Sequence, residues 1–283
     1  MQLSKAGLAD RKQWEEKGYR LPQFDREQMV AATKEAPYWV HFGAGNLFRA
    51  FQANVAQNLL NEGVLDRGIV VAEGYDYEIV EKMNRPHDDY SILVTLKADG
   101  SVEKTVVGSV AESLALDSEN ETDFGRLKEI FTTESLQMAS FTITEKGYSL
   151  VNGKGETLAD VAEDFVAGPE KARSYIGKVS ALLYARYQAG EKPVAMVSMD
   201  NCSHNGTKLY DAVHTFAETW VKNGVAEAGF VAYIENPDKV SFPWTMIDKI
   251  TPRPHEKVQA MLAEDGFEDN NTIITEKHTF TGN

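Results

Sequence analysis

The chain contains a single cysteine, no long apolar run and no export signal. Cys202 has no second cysteine to pair with, so an intrachain disulfide is excluded, and it has no partner set of the kind that binds a metal ion. No run of about 18 apolar residues is present to cross a bilayer, and the charged N-terminus lacks the apolar core of a secretory signal. These absences predict a folded protein of the cytoplasm without a metal.

Basic charge is also scarce. The 283 residues include 29 Lys and Arg against 43 Asp and Glu, which gives a formal net charge of −14. Nucleic acids and anionic membranes attract clustered Lys and Arg, so neither is a predicted partner. An apolar content of 42% is ordinary for a globular protein and is enough for a buried core. The predicted partner is a small molecule.

The one glycine-rich turn lacks its third glycine. In "HFGAGNLFR", Gly43 and Gly45 fit the first two glycines of the dinucleotide-binding pattern G-x-G-x-x-G, but Phe48 occupies the last position. Small residues at such a turn let backbone N–H groups and a helix N-terminus approach a pyrophosphate. We therefore predict a nucleotide-binding turn that includes Asn46, with Arg49 adding positive charge one helical turn later. A purely structural turn is the alternative.

This turn lies inside a predicted strand, helix and strand unit. "YWVHF" predicts a buried strand at 38–42, and "GIVVAEG" predicts a second strand at 68–74. Between them, Gly63 follows a predicted helix in a position suited to its C-cap. The apolar stripe of that helix is predicted at Phe48, Phe51, Val55 and Leu59. The unit has the size of a βαβ crossover.

The rest of the chain continues the alternation of strands and helices. Apolar runs at "QMASFTIT" and "PVAMVSM" predict further strands, and helices are predicted around 123–133 and 173–189. The segment "YSILVTLKADGSVEKTVVGSV" breaks at "ADG" and predicts an inserted hairpin, as an antiparallel addition to the sheet. Near the C-terminus, "HEKVQAMLAEDG" predicts a short helix and "NTIITEKHTF" a last strand.

The predicted fold is therefore α/β, with a Rossmann-like, doubly wound and mainly parallel sheet. Residues 1–37 are predicted to form an N-terminal arm with a short helix packed on the body. The dinucleotide-binding domain is predicted at 38–254, and a connecting segment at 255–283.

Two carboxylates follow the second strand of the βαβ unit. Glu73 ends that strand and Asp76 comes three residues later, where Rossmann folds place the acid that accepts hydrogen bonds from the adenosine ribose. A carboxylate there repels a 2′-phosphate, so NAD is predicted rather than NADP. Methyltransferases that use S-adenosylmethionine also combine a glycine turn with an acid at this place. Methyl transfer therefore stays open on these residues alone.

Polar residues follow two later strands, at the edge where ligands bind in open α/β sheets. Thr144 follows "FTI" and is predicted to line the nicotinamide pocket. The segment "VSMDNCSHNG" places Asp200, Asn201, His204 and Asn205 within six residues. The Asn201 amide is suited to donate to a carbonyl oxygen that gains negative charge during reduction, and His204 is predicted to position the substrate. Turn formation is the structural alternative for these residues.

Four ordered segments, "HFGAGNLFR", "TITEKGY", "VSMDNCSHNG" and "FPWTMIDKITP", resemble the mannitol dehydrogenase family, the polyol-specific long-chain dehydrogenases. The resemblance implies an N-terminal Rossmann-type domain followed by a mostly helical domain. It also implies NAD(H)-dependent, metal-free interconversion of a secondary alcohol and a ketone. The wording of "FGAGNLFRAF" and "LSKAGLADR" is most similar to the branch that interconverts D-mannonate and D-fructuronate.

The resemblance further implies roles for individual residues. Asn201 matches the asparagine that stabilises an oxyanion, and Asp248 of "FPWTMID" matches an acidic active-site residue. Enzymes of the family take their general base, a lysine, from a helix of the later domain, which this chain is expected to lack. Lys277 and His278 lie in a predicted edge strand and are not expected to replace that base. The chain alone is therefore expected to bind NAD(H) and turn over little substrate, and a catalytically silent nucleotide-binding module is the alternative.

Overall fold

The computed structural model describes residues 1–251, 256–269, 273–277 and 280–281. The strands of these residues are, in chain order, β1 (Tyr19–Arg20), β2 (Trp39–Phe42), β3 (Ile69–Glu73), β4 (Ser91–Leu96), β5 (Val102–Val107), β6 (Val110–Ala115), β7 (Met138–Phe141), β8 (Val194–Ser198), β9 (Val240–Ser241), β10 (Ile273–Ile274) and β11 (Phe280–Thr281). The helices are α1 (Arg11–Glu16), α2 (Arg26–Glu35), α3 (Ala53–Asn61), α4 (Glu121–Thr132), α5 (Thr144–Gly147), α6 (Ala159–Ala167), α7 (Tyr175–Gln188), α8 (Asn205–Lys222), α9 (Gly229–Glu235) and α10 (Glu256–Glu264).

The main sheet has the strand order β6-β3-β2-β7-β8-β9. Its β2, β7, β8 and β9 are paired in parallel, with Val40 opposite Ala139, Ala139 opposite Met196, and Val194 opposite Val240. Helices alternate with these strands, and β2, β7 and β8 are largely buried, as parallel strands between helical layers are. The predicted doubly wound, mainly parallel α/β fold is therefore confirmed.

By its backbone contacts the chain divides into two compact units. One unit comprises residues 1–37, 44–113 and 249–283, and the other comprises residues 38–43 and 114–248. The predicted boundaries at 1–37, 38–254 and 255–283 stay a prediction. Each unit is described by itself below.

The unit with the parallel strands β2, β7, β8 and β9 has a core of aromatic and aliphatic side chains. The rings of Phe42 and Phe141 are stacked with their centroids 4.8 Å apart. The predicted helices near 123–133 and 173–189 are confirmed as α4 and α7. Helix α4 buries one face, whereas every residue of α7 from Ile176 to Tyr184 is buried. Three further helices, α6, α8 and α9, complete the alternation with the strands.

The other unit contains the predicted hairpin, which is confirmed as β4 and β5 joined by a turn at 97–101. Its predicted place in the main sheet was wrong. The free edge of β5 pairs in parallel with β1, so that the hairpin forms a separate three-stranded sheet. This sheet covers a second core that contains the fully buried Trp14 of α1, together with Leu262 and Phe267 from the C-terminal part of the chain. The short N-terminal helix is thus packed on the body, as predicted.

The apolar stripe predicted for the helix after the glycine turn was also wrong in part. Phe48 is buried, but Val55 is 41% exposed, and the buried face of α3 consists of Ala53, Ala56, Gln57 and Leu60. The cause is a π-helical turn at Phe48–Gln52, in which the Ala53 N–H donates to the Phe48 carbonyl. This wider turn rotates the following residues out of the 3.6-residue register. Gly63 ends the helix as predicted: it follows the C-cap residue Glu62 and has φ +70°, the left-handed conformation common just after a helix.

The C-terminal part begins with α10, which confirms the predicted short helix. The single last strand predicted at 271–280 was wrong, because the chain turns at Glu276 and Lys277 and forms two short antiparallel strands, β10 and β11. The turn follows Thr275, in "TEK", where the sequence has no apolar residue to continue a buried strand. His278 lies outside the described residues.

Candidate functional site

The glycine turn after β2 contains two glycines with different surroundings. Gly43 has φ +108°, and a Cβ there would lie 2.3 Å from the carbonyl oxygen of Thr142. Only glycine tolerates both conditions. A Cβ at Gly45 would meet no atom within 4 Å. Gly43 is therefore required by the chain itself, whereas Gly45 leaves open space at the turn.

Glu73 at the end of β3 holds this turn. Its side chain is only 5% exposed. Oε2 accepts a hydrogen bond from the backbone N–H of Ala44 at 2.7 Å, and Oε1 accepts from Tyr75 at 2.8 Å and from Asp76 at 3.1 Å. A buried carboxylate needs such donors to offset the loss of water. Glu73 thus joins the glycine turn to the loop after β3, a role that the sequence did not reveal.

Arg49 also binds the turn. Its guanidinium donates to the Ala44 carbonyl at 2.6 Å and to Oδ1 of Asn46 at 2.5 Å. Burial lowers the pKa of Arg49 to about 10, and the nearby Glu73 opposes that shift. The side chain therefore remains charged at neutral pH. Two of the residues predicted to bind cofactor, Asn46 and Arg49, are in direct contact.

Asp76 differs from Glu73 in its partners. It is 3% exposed, and its Oδ2 accepts from the hydroxyl of Thr275 at 2.6 Å. Its other oxygen, Oδ1, is buried and has no hydrogen-bond partner within the described part of the chain. The backbone carbonyl of Asp76 accepts from Ile79, which begins the next helical turn. Asp76 thus carries a buried carboxylate oxygen with unused acceptor capacity.

His41 lies on β2 and precedes the glycine turn in the sequence. Its Nδ1 is 2.6 Å from Oγ of Ser140, and its Nε2 is 2.8 Å from Oγ1 of Thr142. A neutral imidazole donates from one nitrogen and accepts at the other, which suits two hydroxyl partners. Burial lowers the pKa of His41 to about 3, so the ring is neutral in the folded protein at ordinary pH.

In the unit with β7 and β8, the side chain of Asp200 joins the segments that follow these two strands. Its Oδ1 accepts from the N–H of Thr144 at 2.9 Å, and Oδ2 accepts from the N–H of Ile143 at 3.0 Å and from the Tyr148 hydroxyl at 2.5 Å. The Tyr148 hydroxyl also contacts Oγ of Ser198 at 2.8 Å. Burial, followed by the Asp200 charge, raises the pKa of Tyr148 well above its ordinary value.

Thr144 has φ +65°, a left-handed conformation that is rare for a β-branched residue. Ile143 before it has φ −117° and ψ 8°. Consecutive N–H groups in this right-handed then left-handed arrangement form a concave site for an anion. Here the Asp200 carboxylate fills that concavity.

Asn205 joins the segment after β8 to the segment after β9. Its Nδ2 donates to Oγ1 of Thr245 at 2.8 Å and lies within hydrogen-bond distance of the carbonyls of Ser198 and Asp200, and its Oδ1 accepts from the N–H of Thr245 at 3.1 Å. A Cβ on the next residue, Gly206, would lie 2.5 Å from the Phe242 carbonyl oxygen and 2.6 Å from that of Pro243. The "NG" pair is therefore structural.

The other predicted residues of this unit lie at the surface. Asn201, His204 and Asp248 are exposed, as is Thr144. His204 has φ +53° and packs its ring edge-on against Trp244, with the centroids 4.4 Å apart. The motif "DNCSHNG" thus separates into anchors, Asp200 and Asn205, and exposed groups that are available to a ligand.

Hydrogen bonds of Asp200 and Asn205 join the three later motifs, "TITEKGY", "VSMDNCSHNG" and "FPWTMIDKITP". The sequence offered turn formation as an alternative for both residues, but it did not indicate that Asp200 binds the segment after β7 or that Tyr148 takes part. The available signal was the density of polar residues directly after a buried strand, which requires partners inside the protein.

Two further features concern what the described residues do not contain. No helix among them is both long and apolar enough to span a bilayer. Within the same residues, no group of three or more His, Cys, Asp or Glu side chains is placed to hold a metal ion. Cys202 is a free, half-buried thiol.

The parallel sheet, its alternating helices and the glycine turn define a Rossmann-type domain. The family model "Mannitol dehydrogenase Rossmann domain" matches residues 37–282. The chain belongs to the mannitol dehydrogenase family. This assignment does not favour the methyltransferase or the catalytically silent module that the sequence had left open.

Individual relatives agree with the family. D-mannonate oxidoreductase of Thermotoga maritima is 47% identical over 279 residues, which are 99% of this chain and 51% of that protein. Mannitol 2-dehydrogenase of Pyrenophora tritici-repentis is 29% identical over 84% of this chain and 41% of that protein. The ternary complex of Pseudomonas fluorescens mannitol 2-dehydrogenase with NAD and D-mannitol superposes with a TM-score of 0.76 at 26% identity, over 94% of this chain and 51% of that one. The chain thus spans about half the length of these relatives.

Proposed function

We propose that this chain is the NAD(H)-binding half of a dehydrogenase that interconverts a secondary alcohol of a sugar acid or polyol and the corresponding ketone. The favoured pair is D-mannonate and D-fructuronate, because the relative with 47% identity is named a D-mannonate oxidoreductase. Mannitol with fructose, and altronate with tagaturonate, are the other pairs that the family suggests. The observation that carries the proposal is the glycine turn held by the buried Glu73.

The residues of the glycine turn fit an NAD molecule. The open space at Gly45 admits a pyrophosphate close to the backbone. Helical residues begin at Asn46, and the positive end of a helix dipole favours an anionic pyrophosphate there. The unpartnered Oδ1 of Asp76 and the carboxylate of Glu73 lie at or just after the end of β3, where Rossmann folds bind the hydroxyls of the adenosine ribose. We assign Gly43, Gly45, Asn46, Arg49, Glu73, Asp76 and Thr144 to cofactor binding.

The exposed polar groups of the other unit suit the substrate side of the reaction. NAD supplies a hydride acceptor or donor at its nicotinamide. Asn201 donates its amide N–H to the substrate oxygen and stabilises the negative charge that develops there. His204 positions the substrate, and Asp248 adjusts the protonation of the general base, which we assign to a C-terminal catalytic domain.

We also propose the partner domain, the substrate class and the cellular location. The relatives are about twice as long as this chain, which supports a C-terminal catalytic domain as its partner within the whole enzyme. The net charge of −14 supports a small-molecule substrate rather than a nucleic acid or membrane. The cytoplasm and the absence of a metal stay predictions.

Calorimetry on the 283-residue chain tests cofactor binding directly. We expect NADH to bind, NADPH to bind more weakly, and S-adenosylmethionine not to bind. Binding of S-adenosylmethionine without NADH would remove the dehydrogenase proposal. Oxidation of D-mannonate is expected to be slow for this chain and fast for a protein of the relatives' full length, because the general base is assigned to the additional domain. Rapid NAD reduction by the 283-residue chain would contradict that assignment.

A further inference from the structure

Two buried aspartates of the unit with β7 and β8 bind backbone in the same way. Asp200 and Asp164 are 8% and 1% exposed. In each, one carboxylate oxygen accepts from one of two consecutive N–H groups, and the second oxygen accepts from the other N–H group and from a hydroxyl. The partners of Asp164 are the N–H groups of Arg173 and Ser174 and the Ser174 hydroxyl, at 2.8, 2.8 and 2.6 Å.

The conformations that the two aspartates hold are different. Ser174, beside Asp164, has φ −64° and ψ 155°, which any residue adopts without strain. Thr144, beside Asp200, has φ +65°. A left-handed conformation is unfavourable for an L-residue with a Cβ, because the Cβ lies too close to the following carbonyl oxygen. The Thr144 turn therefore needs an external contact to keep its geometry, and Asp200 supplies two hydrogen bonds to it.

The backbone of Asp200 is also fixed, in the segment after β8. Its carbonyl accepts from Nδ2 of Asn205 at 3.1 Å, which anchors the backbone just before Asn201. The side chain of Asp200 thus reaches the segment after β7 while its backbone is fixed after β8. Both segments carry residues to which we assign function, Thr144 and Asn201.

We propose that Asp200 is a positioning residue for cofactor binding, which holds the Ile143–Thr144 turn in its strained left-handed form so that Thr144 meets the cofactor. The inference rests on the proposed function, because Thr144 is assigned to NAD(H) there. We assign Asp200 no contact of its own with cofactor or substrate. Its carboxylate is directed to the backbone of the turn and to Tyr148.

The first experiment compares Asp200→Asn with the matched control Asp164→Asn in the 283-residue chain. Each change keeps the shape of the side chain but turns an NH₂ group towards an N–H donor. Asp200→Asn is expected to raise the Kd of NADH about tenfold or more, as loss of a charge-assisted hydrogen bond does. Asp164→Asn is expected to lower the melting temperature and leave the Kd within about twofold. Equal Kd changes in the two variants, or none in Asp200→Asn, would overturn the proposal.

The second experiment uses strain relief. Glycine adopts φ +65° without cost, so the turn in Thr144→Gly no longer depends on Asp200 for its conformation. Asp200→Asn is therefore expected to raise the Kd of NADH much less in the Thr144→Gly background than in the wild-type chain, whatever Thr144→Gly itself costs. An equal rise in both backgrounds would count against the proposal.

Amide NMR separates failure of this inference from failure of the proposed function. In the wild-type chain, the amide protons of Ile143 and Thr144 are expected at low field, because both donate to a carboxylate. Asp200→Asn is expected to shift both upfield while most other signals stay in place. Unchanged signals would disprove the proposal that Asp200 holds the Ile143–Thr144 turn, whether or not NADH binds. If the wild-type chain binds no NADH, the proposed function fails by itself.

Discussion

Two turns at strand ends, the glycine turn held by Glu73 and the Thr144 turn held by Asp200, reach a similar result by different means. Both carboxylates are buried, and both accept from donors that are distant in sequence. The glycine turn adopts its positive φ at Gly43, where glycine removes the steric cost. The Thr144 turn keeps a side chain at its positive φ and depends on Asp200. The Thr144 turn thus presents a side chain at its positive φ, whereas the glycine turn presents only backbone there.

The largest effect is expected at Gly43, where the glycine turn has no room for a side chain. Gly43→Ala places a Cβ against a carbonyl oxygen and also forces a left-handed alanine. We expect the free energy of unfolding to fall by about 3 kcal/mol or more. Gly100→Ala is the control, since Gly100 has φ +84° but no atom near its Cβ, and its cost should be about 1 kcal/mol. Equal costs in urea unfolding would show that the Thr142 contact is unimportant.

The next largest effect distinguishes the buried Asn205 from the exposed Asn201 in the segment after β8. Asn205→Ala removes a buried amide that bonds Thr245, and should reduce stability by about 2 to 3 kcal/mol. Asn201→Ala at the exposed neighbour should change stability by no more than about 0.5 kcal/mol. Thermal unfolding of the two variants measures both. A large loss for Asn201→Ala would mean that it is an anchor as well.

A third prediction tests whether Glu73 is as important to its turn as Asp200 is to the other. Glu73→Gln should raise the Kd of NADH about 10- to 100-fold, because the turn loses a charge-assisted hydrogen bond to Ala44 and the site loses a carboxylate. Asp76→Asn should weaken NADH about 2- to 10-fold, because Asp76 does not hold the turn. Calorimetry with NADH and NADPH gives both constants. A larger effect of Asp76→Asn would reverse the roles.

The smallest effect concerns pH. The pKa of His41 is about 3 in the folded protein and ordinarily about 6.5 in an unfolded chain. Between these values the unfolded chain binds a proton that the folded chain excludes. The free energy of unfolding therefore falls as pH falls, with His41 contributing about 1.4 kcal/mol per pH unit well below pH 6.5.

Urea unfolding at pH 7, 6 and 5 measures this contribution. His41→Asn should remove it and give a shallower dependence than the wild-type chain. Gly100→Ala is the control, because it lowers stability without removing a titratable group and should keep the slope of the wild-type chain. Identical slopes for the wild-type chain and His41→Asn would show that His41 is protonated in the folded state.

Much of the fold could be predicted from local patterns. The buried strands β7 and β8 are apolar runs in the sequence, and α4 and α7 lie in the longer stretches that precede or separate such runs. The stripe on α3 was predicted at the wrong residues because the π-helical turn at Phe48–Gln52 alters the register, and no residue type signals such a turn. The hairpin was recognised but its sheet was not, since pairing with β1 depends on a strand more than 80 residues earlier.

The sequence by itself determined the α/β fold, the position of the glycine turn, and the polar segments at the strand ends, because each depends on residues close together in the chain. Only the tertiary structure decided which of those polar residues are anchors. Glu73 and Asp200 accept from N–H groups that are 29 and 56 to 57 residues away, and Asn205 reaches Thr245. A buried carboxylate is stabilised by the donors that folding brings to it, and these donors are backbone groups, which every residue carries and no sequence pattern marks.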